Sequence, residues 1–208
     1  MRRVNRMQTT LRRQRGISLL ESLIALVVAA LGILGIVGVQ LRTLTDTQTT
    51  VRREQAIRLI EDLSERMKVN PNAMTNMSTY VSGWNTPSPA GKDCSSAACT
   101  SSELAAYDLA QWKAFIRSNL PLGDANLFIA ASDTEAANRR QLGVMIRWRE
   151  NERKGADSNY LSAINAAADS GGSVSCGEGY TCHLQYIPIS ARCAPYKGTE
   201  PYRYFCPG

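Results

Sequence analysis

The chain has 208 residues, with 24 Lys and Arg against 18 Asp and Glu, for a formal net charge of +6. Six of the 24, Arg2, Arg3, Arg6, Arg12, Arg13 and Arg15, precede Ile17, where no acid occurs, so the remaining 18 bases balance the 18 acids. A nucleic-acid partner is therefore not expected: such binders cluster Lys and Arg on the folded surface, whereas here the excess charge is a terminal tag.

Residues 1–16 read as a targeting segment. Ser22 to Val39 then run 18 residues without a charge. As a helix this run is about 27 Å long, close to the thickness of a bilayer core. Arg42 is the only basic residue in the next ten positions. The positive-inside bias places the amino terminus in the cytoplasm and the body outside. Helical periodicity continues through Leu41, Leu44 and Val51. It becomes amphipathic at Ala56, Leu59, Ile60, Leu63 and Met67, with Arg58, Glu61, Asp62, Glu65 and Arg66 on the intervening surface. Asn70-Pro71 ends it, because the residue before proline avoids the helical region. The prediction is one helix of about 50 residues, roughly 80 Å long. Residues 17–40 are apolar all round and suit lipid or a helical bundle; residues 41–70 carry one stripe and suit packing on a soluble domain. Gly32, Gly35 and Gly38 each weaken the first half by roughly 1 kcal/mol relative to alanine. They are either ordinary transmembrane glycines or a stretch built to bend.

Residues 71–208 form the expected head. Residues 72–100, rich in Ser, Thr, Asn, Gly and Pro, read as a loop. Thr100-Ser101-Ser102-Glu103 fits a capping box, and the helix it opens carries Leu109, Trp112, Ile116 and Leu120 on one stripe and stops at Pro121. A half-buried strand is expected around Gly143 to Arg149 and a second over His183 to Ile189, with Pro188 marking an edge or an end. Leu127 to Ala130 is a weaker third. Residues 151–175 read as a loop with a short helical turn.

Cys94, Cys99, Cys176, Cys182, Cys193 and Cys206 all lie beyond the apolar run. An even count in an exported domain reads as three disulfides formed in an oxidising compartment. Cys94–Cys99 is the one pairing expected; the rest stays open. No metal site or cofactor is expected, since His183 is the only histidine and neither Cys94-x4-Cys99 nor Cys176-x5-Cys182 has knuckle spacing. One histidine also makes a Ser/His/Asp site hard to assemble. Glu61 and Asp62 are neighbours on a helix and do not converge. No catalytic residue emerges, and Arg147-Trp148-Arg149 reads as the polar face of a strand. Tyr196, Tyr202, Tyr204 and Phe205, between Cys193 and Cys206, fit a partner-contacting loop or a small satellite core equally well.

One acid breaks the apolar pattern. A carboxylate at the depth of Glu21 costs about 2.5–3.5 kcal/mol on insertion scales, so it calls for a partner. A cut between Gly16 and Ile17 makes a new amine at Ile17, four residues or about 6 Å of helix from Glu21. In a bundle of staggered helices, one subunit's carboxylate meets its neighbour's amine, which offsets two desolvation penalties and fixes the axial register.

Arg15-Gly16-Ile17-Ser18-Leu19-Leu20-Glu21, followed by Ser22-Leu23-Ile24-Ala25, resembles the class III signal of type IV pilins and pseudopilins. The resemblance implies that prepilin peptidase cuts after Gly16 and methylates Ile17, and that Glu21 is the assembly acid. Ile17 stands where major pilins usually carry phenylalanine, which points away from the main filament subunit. Gly38 lies near the place of their helix-breaking proline. Further along, Ile57 to Met67 with Asn70-Pro71, Asp108 to Trp112 with Leu120-Pro121, and Val144 to Trp148 resemble minor pilins of the PilV type.

The fold implied is α+β and pilin-like: a long amino-terminal helix packed on a small antiparallel sheet with disulfide-stapled loops. The organisation implied is a cleaved leader over 1–16, a membrane or filament-core half-helix over 17–40, an amphipathic half over 41–70 and a periplasmic head over 71–208. The location implied is the bacterial inner membrane, crossed once, and then the pilus. The partners implied are prepilin peptidase, other minor pilins, the major pilin and the inner-membrane assembly machinery. The expected function is that of a non-enzymatic minor pilin promoting pilus assembly or priming at the tip. The alternatives are a type II secretion pseudopilin, a membrane-anchored periplasmic enzyme with an uncut amino terminus, and a pilus-associated adhesin. An ordinary secretory signal cut near Val28-Ala29-Ala30 is disfavoured by the acid in the apolar run and by the helix continuing beyond it.

Overall fold

The computed structural model describes residues 18–86, 91–131, 139–150, 164–168, 172–189, 194–196 and 203–205. Helix α1 spans Leu19–Val69. Ser18 begins it: its Oγ accepts the Glu21 backbone N–H at 3.2 Å, satisfying one donor left over at a helix start. The helix is unbroken through Gly32, Gly35 and Gly38. It stops where expected, at Asn70. That side chain donates to the Tyr80 hydroxyl at 3.1 Å and to the Ser101 carbonyl at 2.8 Å, and its own carbonyl accepts from Asn72 N–H.

The chain divides into two compact units, one ending at Thr47 and one beginning at Gln48. Within the first, an 18-residue window of α1 reaches a mean hydropathy of 2.7 with none of it buried. Where the apolar run gives way to threonines, their hydroxyls bond back to the helix: Thr43 to the Val39 carbonyl at 3.0 Å, Thr47 to the Thr43 carbonyl at 2.7 Å. The hydroxyls of this threonine-rich stretch, which has poor helix propensity, are thus satisfied within the helix itself.

The second unit is a helix-on-sheet head. Ala56, Leu59, Ile60, Leu63 and Met67 of α1 are buried. They meet helix α3, Ser101–Asn119, which opens on a complete Thr100/Glu103 capping box. Its stripe of Leu109, Trp112 and Ile116 is buried, and Leu120 continues it. The Trp112 indole donates to the Leu59 carbonyl of α1 at 2.6 Å. Leu120-Pro121-Leu122-Gly123 then turns the chain sharply, with Gly123 N–H on the Leu120 carbonyl at 2.9 Å and Leu122 at a φ of 49°. A side chain at position 123 would start 2.7 Å from the Leu120 Cβ, so glycine is required there.

Strands β1 (Asp124–Phe128) and β2 (Gln141–Trp148) pair antiparallel, Asp124 opposite Arg147 and Phe128 opposite Gly143. Two three-residue strands follow, β3 (Asn165–Ala167) and β4 (Ser173–Ser175), paired with each other. Strand β5 (Thr181–Pro188) returns to the other side of β2, from Trp148 opposite Thr181 to Gln141 opposite Pro188. The order is thus β1-β2-β5. A last pair, β6 (Ala194–Tyr196) and β7 (Arg203–Phe205), is antiparallel. The fold is α+β and pilin-like, with the long amino-terminal helix, the antiparallel sheet and two disulfides.

Three local expectations change. Strand β2 is covered on both faces rather than half-buried. As the central strand it sends Leu142, Val144, Ile146 and Trp148 into the helical core, while Met145 enters a second cluster with Phe128, Ala166, Val174 and Cys182. Residues 72–100 are not merely a loop: α2 (Met77–Tyr80) lies within them, and Ala73, Met77 and Tyr80 are core residues whose spacing was masked by polar neighbours. Residues 151–175 contain the β3–β4 pair, whose strands are too short to show an alternating pattern; 151–163 and 169–171 lie outside the described residues.

Candidate assembly site

Gly16 and Ile17 lie outside the described residues. Glu21 is in the first turn of α1 and exposed. Around it Leu19, Leu20, Leu23 and Ile24 are 91%, 69%, 61% and 54% exposed. This surface has no counterpart in the chain's own described residues, and exposed apolar surface on this scale is a place for lipid or another molecule. A Cβ added at Gly32, Gly35 or Gly38 would meet nothing within 4 Å, so the chain's own packing does not require glycine at any of them.

Among the described residues two disulfides fix the loops of the head, Cys94–Cys99 with Cα atoms 5.6 Å apart and Cys176–Cys182 with Cα atoms 5.9 Å apart. Cys193, Tyr202 and Cys206 lie outside the described residues. Tyr180, between Cys176 and Cys182, stacks on the Arg147 guanidinium at 4.6 Å, and Trp84 covers it at 4.3 Å. Arg147 is thus an aromatic-clamped cation rather than a solvated strand residue. It lies 3.7 Å from the Asp124 carboxylate, which also has Lys113 at 3.7 Å and Arg117 at 3.6 Å. Lys113 is 1% exposed, and its ammonium donates to Ser82 Oγ and the Gly83 carbonyl, both at 2.9 Å. Burial holds the Lys113 pKa below its ordinary value, with Asp124 opposing. Sequence reasoning missed this cluster. The available signal was Lys113 itself, sitting next to Trp112 and four residues after Leu109 on the buried face of α3.

Other shifts follow from the same packing. Burial pushes the Tyr80 hydroxyl up to about 12, against the Asn70 hydrogen bond. Burial raises Asp108 although Arg66 lies 3.6 Å away. The Arg66 guanidinium is itself held above its ordinary value: burial lowers it, but Asp62 and Asp108 together outweigh that. Both values rise, which favours charged Arg66 but neutral Asp108, the more deeply buried partner. His183 on β5 is lowered by burial and by Arg53, with a Gln185 hydrogen bond opposing. These groups tie elements together, Arg66 joining Asp62 of its own helix to Asp108 of α3.

A basic amino terminus, an apolar helix broken by one acid, and a disulfide-stapled helix-on-sheet head fit a membrane-anchored protein of pilin type. Residues 11–37 match the family model of the prokaryotic N-terminal methylation motif, and residues 38–110 match that of the Tt1218-like proteins, described as type IV pilin Tt1218. The two contiguous matches support a type IV pilin. The pilin family implies assembly with other pilins and with pilus machinery, and the methylation motif implies processing by prepilin peptidase. No curated protein and no solved structure matches the chain.

Proposed function

We propose that the chain is a minor pilin, a structural and non-catalytic subunit that promotes type IV pilus assembly or priming at the tip. Prepilin peptidase cuts between Gly16 and Ile17 on the cytoplasmic side and methylates the new amine. The subunit then rests in the inner membrane, crossing once through residues 17–40, with residues 71–208 in the periplasm. It leaves the membrane laterally into a helical bundle, where Glu21 pairs with a neighbour's terminal amine and fixes the axial register.

The observation that carries this reading is the exposed apolar half of α1 with Glu21 in its first turn. Ser18 supports it, because its cap starts the helix two residues after Gly16, so a mature chain would begin almost at once as helix. The match to a type IV pilin model favours a pilus over a type II secretion filament.

Mass spectrometry of the mature protein tests the processing step: the expected amino terminus is N-methylated Ile17, and a full-length terminus overturns it. For assembly, Glu21→Ala is expected to be processed normally yet be lost from sheared filaments. Normal incorporation of that variant would falsify the register role.

A further inference from the structure

Resting on the register reading above, we propose that α1 carries a second inter-subunit ion pair, in which Asp46 of one subunit meets Arg42 of a second copy of this chain at the outer edge of the apolar run. Both residues lie on α1 and in the same compact unit as Glu21.

Helical phase puts the two acids on one face. Positions 21 and 46 are 25 residues apart on one unbroken helix, about 38 Å and within roughly 20° of seven full turns. A neighbour that faces Glu21 therefore also faces Asp46. The spacing of base and acid repeats as well. Ile17, the expected terminal amine, precedes Glu21 by four positions, and Arg42 precedes Asp46 by four. A stagger of four residues, about 6 Å, levels residue n of one copy with residue n+4 of the next. The stagger that brings an amine to Glu21 thus brings Arg42 to Asp46.

A second copy of this chain supplies both halves of both pairs, and the complementarity is charge for charge. Val28, Gly32, Gly35 and Val39 lie between the acids on the same face, each within roughly 40° of Glu21 by the same phase arithmetic. Gly32 and Gly35 have open space where a Cβ would go, which allows a neighbouring backbone to come close. The pair differs from that of Glu21 in its surroundings. It sits three positions beyond Val39, at the water boundary, so Asp46 and Arg42 exchange between partners without crossing hydrocarbon. Glu21 fixes the register from within the apolar zone, and Arg42 with Asp46 checks it from outside.

The test is cross-linking between two differently tagged full-length copies, co-expressed with prepilin peptidase in bacterial inner membranes. One copy carries Thr43→Cys and the other Val39→Cys, positions levelled by the four-residue stagger. A bismaleimide cross-link between 43 and 39 is expected to exceed a 39–39 cross-link. Asp46→Arg in the first copy is expected to lower the 43–39 yield about tenfold, as like charges face each other. Adding Arg42→Asp to the second copy is expected to restore it. Mature size on the same gel reports insertion and cutting.

An unchanged yield with Asp46→Arg, or no recovery with the charge swap, overturns the second pair. Absence of a 43–39 product between copies with native charges overturns the second copy as partner. Glu21→Ala separates the two ideas. Loss of the 43–39 product with Glu21→Ala but not with Asp46→Arg leaves the Glu21 register standing and removes this pair. A product insensitive to Glu21→Ala removes the register reading itself.

Discussion

Between Leu19 and Leu44, helix α1 leaves its leucines, isoleucines and valines in the open; between Ala56 and Met67 it buries all five residues of its stripe. The backbone is the same single helix, and so is the chemistry of the side chains. What differs is their arrangement. A stripe needs one partner surface, and α3 with the sheet provides it. A helix apolar all round needs partners on every side, which one small head has no means to supply. The first half is thus built for surroundings outside the chain, and the second for the chain itself.

Substitutions on the two halves break or sharpen this contrast. The largest expected effect is at Leu63, which is fully buried. Leu63→Ala leaves a cavity and should lower head stability by about 2–5 kcal/mol in urea denaturation of the detergent-solubilised chain. Thr100→Ala removes the cap of the helix that receives the stripe, and should cost about 1 kcal/mol in the same measurement; an unchanged midpoint would mean the cap is dispensable.

A smaller, pH-dependent effect is expected at His183. Its folded pKa lies below the ordinary value of 6.5, so the folded head favours neutral imidazole. Its contribution is intact above the unfolded pKa and declines as pH falls through 6.5 toward the folded pKa. Melting temperatures at pH 7.5 and 5.0 should therefore converge somewhat in His183→Gln; an identical pH dependence would remove His183 as a source. The smallest effect is expected at Leu34, 67% exposed in the first half. Leu34→Ala should leave head stability within about 0.5 kcal/mol. A shift like that of Leu63→Ala would erase the contrast between the halves.

Much of this was legible in the sequence because it depends on local rules. The stop at Asn70-Pro71, the capping box at Thr100 and the Leu109-Trp112-Ile116-Leu120 stripe are all written within a few residues. The exposed apolar half of α1 was legible for the same reason, since a charge-free run of that length stands out. What was missed depends on contacts between distant segments. Strand β2 is central only because β1 and β5 flank it, and the Arg147–Asp124–Lys113 cluster joins residues from three elements. Tyr80 became core through Asn70, ten positions earlier. Periodicity sees one element at a time and has no view of such meetings.

Glu150, just past β2, receives two donors from different parts of the head: the Arg52 guanidinium of α1 at 2.6 Å and the Trp148 indole at 2.5 Å. Arg52 is the first point, coming from the amino-terminal side of the second unit, at which α1 grips the strand end by an ion pair. In a filament under tension, load reaching Arg52 would meet this part-buried bond before the buried stripe that begins at Ala56. Part of the hold of α1 on the head would then rest on a carboxylate that no sequence motif marks.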